Sequence, residues 1–278
     1  MEVQSLSKDI GKRGHYCNCA ASKLKSPHLA QGWSTRMKIL IDSNTFQVQA
    51  HMEHPEVKGR RLIPFLELLR ATTGGSIEFG GAAVTASALQ GCDLLIIPIR
   101  TVPFETAELD AIERYVKSGG RLFHLSTHAP VHLQDNVLAQ RFGLGFEGAS
   151  FKVPNKLTHI PYRLINDHPI TSARHGGLPV QTLVFNSCGS VLYRAGQVLA
   201  WVPMPASDLV TGKTPYSRAF AVSLDGRRGD PGVGNGRLLA IANCGLVGAK
   251  GTDYPGKGLI EEGDNKLFLE RAIGWLLE

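Results

Sequence analysis

The most constraining feature is the run Asp93-Leu94-Leu95-Ile96-Ile97, an uninterrupted apolar stretch that suits a strand buried on both faces. It does not stand alone. Lys38-Ile39-Leu40-Ile41-Asp42 opens a strand directly after Met37, and Leu62, Ile63, Leu66 and Leu69 then recur at helical spacing before Gly74-Gly75. Ser76 to Phe79 reads as a short strand and Thr85 to Leu89 as a turn or short helix. Thr106 to Lys117 reads as a helix with Glu105 and Glu108 at its positive end and Gly119-Gly120 as its stop. Arg121 to Leu125 is the next strand. Strand and helix alternating across short glycine-rich joints predict a parallel sheet with right-handed crossovers. The second half is richer in strands, at Tyr162 to Ile165, Gln181 to Phe185, Gln197 to Val202, Arg218 to Ser223 and Arg237 to Ala242, some of them antiparallel. Asn265 to Leu277 closes the chain as a helix with Leu267, Phe268, Trp275 and Leu276 along one side. The expected fold class is α/β, a flavodoxin-like three-layer sandwich whose mostly parallel sheet is extended by antiparallel strands.

Residues 1–36 lack hydrophobic periodicity and read as a disordered extension, with one domain over 37–278. The sharp start at Met37 suggests a start-site artefact in preference to a targeting peptide. Of the net charge of +6, the first 36 residues carry a surplus of four, so the folded part is nearly neutral and nucleic acid is an unexpected partner. No apolar run approaches the roughly 20 residues of a membrane span. The cysteines are odd in number, five, and three of them are dispersed in core-forming stretches, which argues against a disulfide framework and for a cytoplasmic location. Cys17 and Cys19, without a second pair, make a weak soft-metal site.

Three stretches carry a family resemblance over about residues 37–278. Asp93-Leu94-Leu95-Ile96-Ile97-Pro98 followed by Tyr115-Val116-Lys117-Ser118-Gly119-Gly120-Arg121-Leu122-Phe123 is similar to the class I glutamine amidotransferase-like fold. More narrowly it resembles the non-amidotransferase branch: trehalose-utilisation-type proteins, domains of unknown function, and domains of gliding-motility and intraflagellar-transport proteins. Asp167-His168-Pro169-Ile170-Thr171 looks like the turn those families place after the central helix. Gly236 to Asn243, then Asp264-Asn265 and the helix ending Gly274-Trp275-Leu276-Leu277, looks like their last strand and closing helix. The resemblance implies a glycine-flanked cysteine elbow and a later His-x-Glu. Here the elbow position reads His124-Leu125-Ser126-Thr127-His128, with no cysteine and no adjacent glycine, and no His-x-Glu follows. Glutamine hydrolysis is therefore not expected.

Ligands of open α/β sheets collect at the carboxyl ends of the strands. Those ends carry Asp42, Ser43, Asn44, Arg100, Ser126, Thr127, His128, Asn243 and Cys244. The expected ligand-binding set is Asp42, Asn44, Arg100, Thr127, His128 and Asn243, with Arg100 gripping an anion. The bland reading pairs Arg100 with a helix carboxylate such as Glu105. Ser126 and His128 are the candidate nucleophile and base if the chain turns at Thr127, although a polar turn is the favoured role. Among His51, Glu53, His54, His124, His128 and His132 no HExxH spacing occurs, so no cofactor is expected and His51 and His54 stand as the metal candidates. Cys244 reads as a structural thiol whose nearest cation in sequence is Lys250, and the run Gly226 to Gly236 as a hairpin loop that opens no helix. The leading expectation is a triad-less domain binding a small molecule or a partner protein, in an oligomeric state the sequence leaves open. The alternative is a hydrolase built on Ser126 and His128 or a His-bound metal. Removal of residues 1–36 is expected to leave the thermal midpoint unchanged, and a drop of several degrees on calorimetry would refute it.

Overall fold

A computed structural model describes residues 37–45, 62–130, 132–173, 177–204, 206–208, 217–248 and 259–278. Five strands run parallel: β1 (Lys38–Ile41), β2 (Ser76–Phe79), β3 (Leu94–Pro98), β4 (Arg121–Leu125) and, far along the chain, β12 (Arg237–Ile241). Their spatial order is β2-β1-β3-β4-β12, the flavodoxin-like order, with its switch point between β1 and β3. The sheet continues antiparallel from β12 through β11 (Ala219–Asp225), β8 (Cys188–Tyr193), β5 (Leu144–Lys152) and β10 (Ser207–Asp208), and β9 (Gln197–Trp201) also pairs β11. β6 (Thr158–Pro161) and β7 (Thr182–Phe185) form a separate antiparallel pair.

Strand alternation sorts the core into two layers. Ile39, Ile41, Leu94, Ile96, Phe123, Leu125, Leu239 and Ile241 face one side, where α1 (Ile63–Thr73) and α4 (Asn265–Leu277) cover them. Leu40, Leu95, Ile97, Leu122, Leu238 and Ala240 face the other, covered by α2 (Thr106–Lys117) and α3 (Leu133–Gln140). The chain leaves α1 through Gly74 in the left-handed conformation, φ 62°, which suits a residue without Cβ. No helix among the described residues is long and apolar enough to cross a membrane.

The parallel half matches the sequence expectation closely, and the second half corrects it. Tyr162 to Ile165 is not a strand. Its Tyr162–Leu164 portion is a 3₁₀ turn, and the strand lies just before it as β6. Thr85 to Leu89 forms a turn. The strands β5, β8 and β10 and the helix α3 carry no sufficient sequence signal. The glycine run after β11 connects it to its antiparallel neighbour β12, a long hairpin loop.

The closing helix is tied down by polar as well as apolar groups. Asp264 accepts N–H bonds from Gln181 and Thr182, and Asn265 exchanges hydrogen bonds with both backbone groups of Val184. Phe268, Leu269 and Leu276 are fully buried, and Trp275 contacts the His168 ring at 5.2 Å between centroids. Trp275→Ala is expected to lower stability by about 3–5 kcal/mol through cavity formation. A denaturant midpoint unchanged from the wild type would refute this placement.

Candidate functional site

The carboxyl end of β3 makes an unusual exit. Ile99 adopts φ 47°, a region that a β-branched residue enters at a cost of about 1–3 kcal/mol. Two bonds fix the strained position: the Ile99 N–H donates to Leu125 O at 2.9 Å, and the Arg100 N–H to Asp135 Oδ1 at 2.9 Å. The backbone turn puts the Arg100 side chain inside the protein, 1% exposed, at the switch point between β1 and β3.

Every guanidinium N–H of Arg100 has an internal acceptor. Nη1 donates to Asp42 Oδ2 at 2.8 Å and Glu108 Oε1 at 3.0 Å, and Nη2 to Glu108 Oε2 at 2.9 Å and Pro103 O at 3.5 Å. Nε donates to Val102 O at 2.8 Å, and the guanidinium lies 4.3 Å over the Phe104 ring. The carboxylates are equally occupied. Asp42 accepts the Asn44 N–H at 2.9 Å, and Glu108 accepts the Val84 N–H at 2.7 Å. Asp42, Arg100 and Glu108 are all buried, so each charge depends on the others for compensation. Burial pushes the Asp42 carboxyl above its ordinary value, a rise that the Arg100 charge and the Asn44 N–H oppose. The helix carboxylate that Arg100 meets is Glu108, not the Glu105 suggested by sequence.

A second buried hub adjoins the first. Asp135, in the first turn of α3, accepts the Ser126 hydroxyl at 2.7 Å through Oδ2, and its Oδ1 lies 3.2 Å from His124 Nε2. His124 and Ser126 are two residues apart on and just beyond β4, so strand periodicity sends both to the α3 side. The same periodicity means that a turn at Thr127 is not what decides whether Ser126 and His128 share a side. Asp135 takes the Ser126 hydroxyl, and His128 Nδ1 instead lies 2.9 Å from Ala129 O. No hydrogen bond joins Ser126 to His128. Asp135 was missed at the sequence level, because nothing in a short, weakly patterned segment marks one aspartate as a hub.

The remaining candidates are placed as follows. Asn44 Nδ2 donates to Ala82 O at 2.6 Å, and Ser43 Oγ to Gly80 O and Gly81 O. Asn243 caps a 3₁₀ turn: its Oδ1 accepts the Leu246 N–H at 3.1 Å and its Nδ2 donates to Ser187 O. Thr127 is buried, and its carbonyl passes so close to Gly189 that a Cβ there would lie 2.8 Å from it. Cys244 opens the turn that Asn243 caps. His132 is 8% exposed, with no partner for Nδ1 among the described residues, and burial lowers its pKa. His51, Glu53, His54, Cys17, Cys19 and Lys250 lie outside the described residues. Among the described residues no group of three His, Cys, Asp or Glu could hold a metal ion. A cavity of about 370 Å³ opens elsewhere, lined by Tyr162, Ile165, Asn166, Asp167, Thr171 and Ser172 together with Ala173 and Pro179.

The internal pairing of Arg100 generates a pH-dependent prediction. Arg100→Met leaves two buried carboxylates without a cation and is expected to cost about 3–5 kcal/mol at neutral pH. A carboxyl held above its ordinary value keeps its proton longer in the folded chain than in the unfolded one. It therefore favours the fold at low pH and ceases to do so as pH rises through the native value. The deficit of Arg100→Met relative to wild type should shrink as pH falls from 7 towards the ordinary carboxylate range. A deficit constant across that range in chemical denaturation would refute the buried triad.

The structure can be set beside known proteins. No family model matches the sequence, and no curated protein matches it. Among solved structures, the N-terminal domain of mmIFT52 superposes with a TM-score of 0.64 at 15% identity, over 86% of this chain and 97% of that one. A ThuA-like protein from Bacteroides uniformis gives 0.51 at 16% identity over 95% of each chain. A cytoplasmic protein from Salmonella typhimurium gives 0.52 at 12% identity, over 86% of this chain and 98% of that one. At these identities the likeness is one of fold. The chain has a flavodoxin-like α/β fold, with ThuA-like proteins among its structural neighbours.

Proposed function

We propose that this chain is a triad-less, amidotransferase-like domain that binds a partner protein or a small molecule and does not hydrolyse glutamine. The observation that carries this reading is the destination of the Ser126 hydroxyl. It donates to the buried Asp135 carboxylate, whose other oxygen receives the Arg100 N–H, so the elbow position serves as structural wiring. A nucleophile needs an adjacent base and an open approach, and Ser126 is fully buried with no histidine bonded to it.

The same wiring bears on ligand choice. The switch point, where such sheets usually hold their ligand, is filled by Asp42, Arg100 and Glu108, which satisfy one another. This supports a partner protein over a small molecule at that edge. The neighbour with the TM-score of 0.64 is itself an N-terminal domain, a module carried by a longer chain, which fits the same reading. A small-molecule role finds its support in the 370 Å³ cavity, within the range of about 300–1,000 Å³ common for such sites. A cytoplasmic location belongs to the reading as well.

The purified chain should turn over glutamine and generic esters and amides at the rate of buffer alone. Ser126→Ala should leave that rate unchanged while costing about 1–3 kcal/mol, because Asp135 loses a buried donor. Turnover above buffer that vanishes in Ser126→Ala would establish the hydrolase instead. The binding half is tested by affinity capture with the wild-type chain, followed by reconstitution of each recovered protein or small molecule and measurement of its Kd. Failure of every reconstituted candidate to bind at about 10 μM or tighter would sink that half.

A further inference from the structure

The edge opposite the strand-end residues holds a second concentration of charge. Arg121 is the first residue of β4 and Arg237 the first of β12, so both lie at the amino end of the parallel strands. With Arg227 from the β11–β12 loop they line a small cleft, completed by Gly119, Asn235 and Glu278. Parallel pairing brings Arg121 and Arg237 side by side, since they are register partners.

Part of this arrangement caps a helix. Arg121 Nε donates to Leu276 O at 3.1 Å, Arg237 Nη1 donates to Trp275 O, and the Arg237 guanidinium lies 4.9 Å over the Trp275 ring. Cations at the carbonyl end of α4 are favourable. Capping uses Arg121 Nε and Arg237 Nη1, and Asp225 pairs with Arg237 Nε, which leaves Arg237 Nη2 and the two terminal nitrogens of Arg121. Arg237 is 3% exposed and its Nη2 has no hydrogen-bond partner among the described residues, a costly state for a buried charged donor. The terminal nitrogens of Arg121 make no hydrogen bond among the described residues, and Arg227 reaches only Asp225, at 3.4 and 3.5 Å. Two carboxylates offset the three guanidiniums. Asp225 lies 3.3 Å from Arg237 Nε, and the half-exposed Glu278 lies 3.9 Å from Arg237 Nη1.

We infer that this cleft binds a single tetrahedral oxyanion of the phosphate class, held between Arg121, Arg227 and Arg237. Arginine forks match such oxyanions with paired, charge-assisted hydrogen bonds. The size agrees. The cleft has room of about 40 Å³ for water-sized groups, and one water takes about 10–15 Å³ on that scale, so about three oxygens fit. Three oxygens of a phosphate would sit inward and the fourth would face solvent. The glycine run between β11 and β12 is not the cradle. It supplies Arg227 and Asn235 to the cleft, and the anion is read by side chains.

The test is a thermal titration of the full chain with inorganic phosphate, against potassium chloride at matched ionic strength. The midpoint should rise saturably with phosphate and not with chloride. Arg227 is 57% exposed, so Arg227→Gln keeps the fold, and it should weaken the apparent phosphate affinity by about tenfold. Arg121→Gln should act in the same direction. Methyl phosphate binding as well as inorganic phosphate assigns the site to phosphorylated molecules, with the ester oxygen outward. Binding of inorganic phosphate alone assigns it to the free ion. No stabilisation beyond chloride, or a phosphate affinity unchanged from wild type in both variants, overturns the proposal.

Discussion

The ion network around Arg100 is the constraint on which the upper edge of the sheet depends. One buried guanidinium joins the end of β1 through Asp42 and the start of α2 through Glu108, while its backbone N–H reaches α3 through Asp135. A lone arginine at that depth would be prohibitively unstable, so the elements supplying its acceptors must arrive together. Ile99 takes up the backbone strain that points the side chain inward. Such a network serves specificity of arrangement more than net stability, because removing two or three charges from water consumes most of what their attraction returns.

The network also decides what the fold can be used for. Doubly wound sheets leave a crevice at their switch point because neighbouring connections part to opposite faces there. Here that place is filled from within: three side chains satisfy one another and leave no guanidinium donor pointing outward. The elbow after β4 is treated the same way, its serine and the neighbouring histidine committed to Asp135. Buried donors without a partner among the described residues are found at the other edge, on Arg237, and beside Tyr162, on the Ser172 hydroxyl.

What the sequence missed has identifiable causes. β5 reads Leu-Gly-Phe-Glu-Gly-Ala-Ser-Phe-Lys, and its two glycines and inward-facing small residues blur the alternation that marks a strand. Gly189 in β8 is required by the close approach of the Thr127 and Glu147 carbonyls, yet in one dimension a glycine there reads as a break. The helix α3 is only eight residues long, and its Leu133 and Val137 are exposed, so no apolar stripe announces it. Tyr162 to Ile165 resembled a strand by residue type, while the pairing partner belonged to the segment before it.

The residues alone determined the parallel half. Four-residue to five-residue apolar runs, glycines at helix ends and amphipathic spacing are local signals, and the strands they define are buried on both faces while pairing with strands distant in sequence. They also located the polar residues of the strand ends, since parallel topology carries those to one edge. What only the tertiary structure decided is the role of each. Glu105 and Glu108 are equivalent candidates along the chain, but only Glu108 is turned towards the sheet where Arg100 enters. Ser126 has histidines on both sides in sequence and bonds instead to an aspartate nine residues on. Whether a polar side chain awaits a ligand or completes the interior depends on which donors and acceptors the packing brings within 3 Å, and that is set by distances between elements, not along the chain.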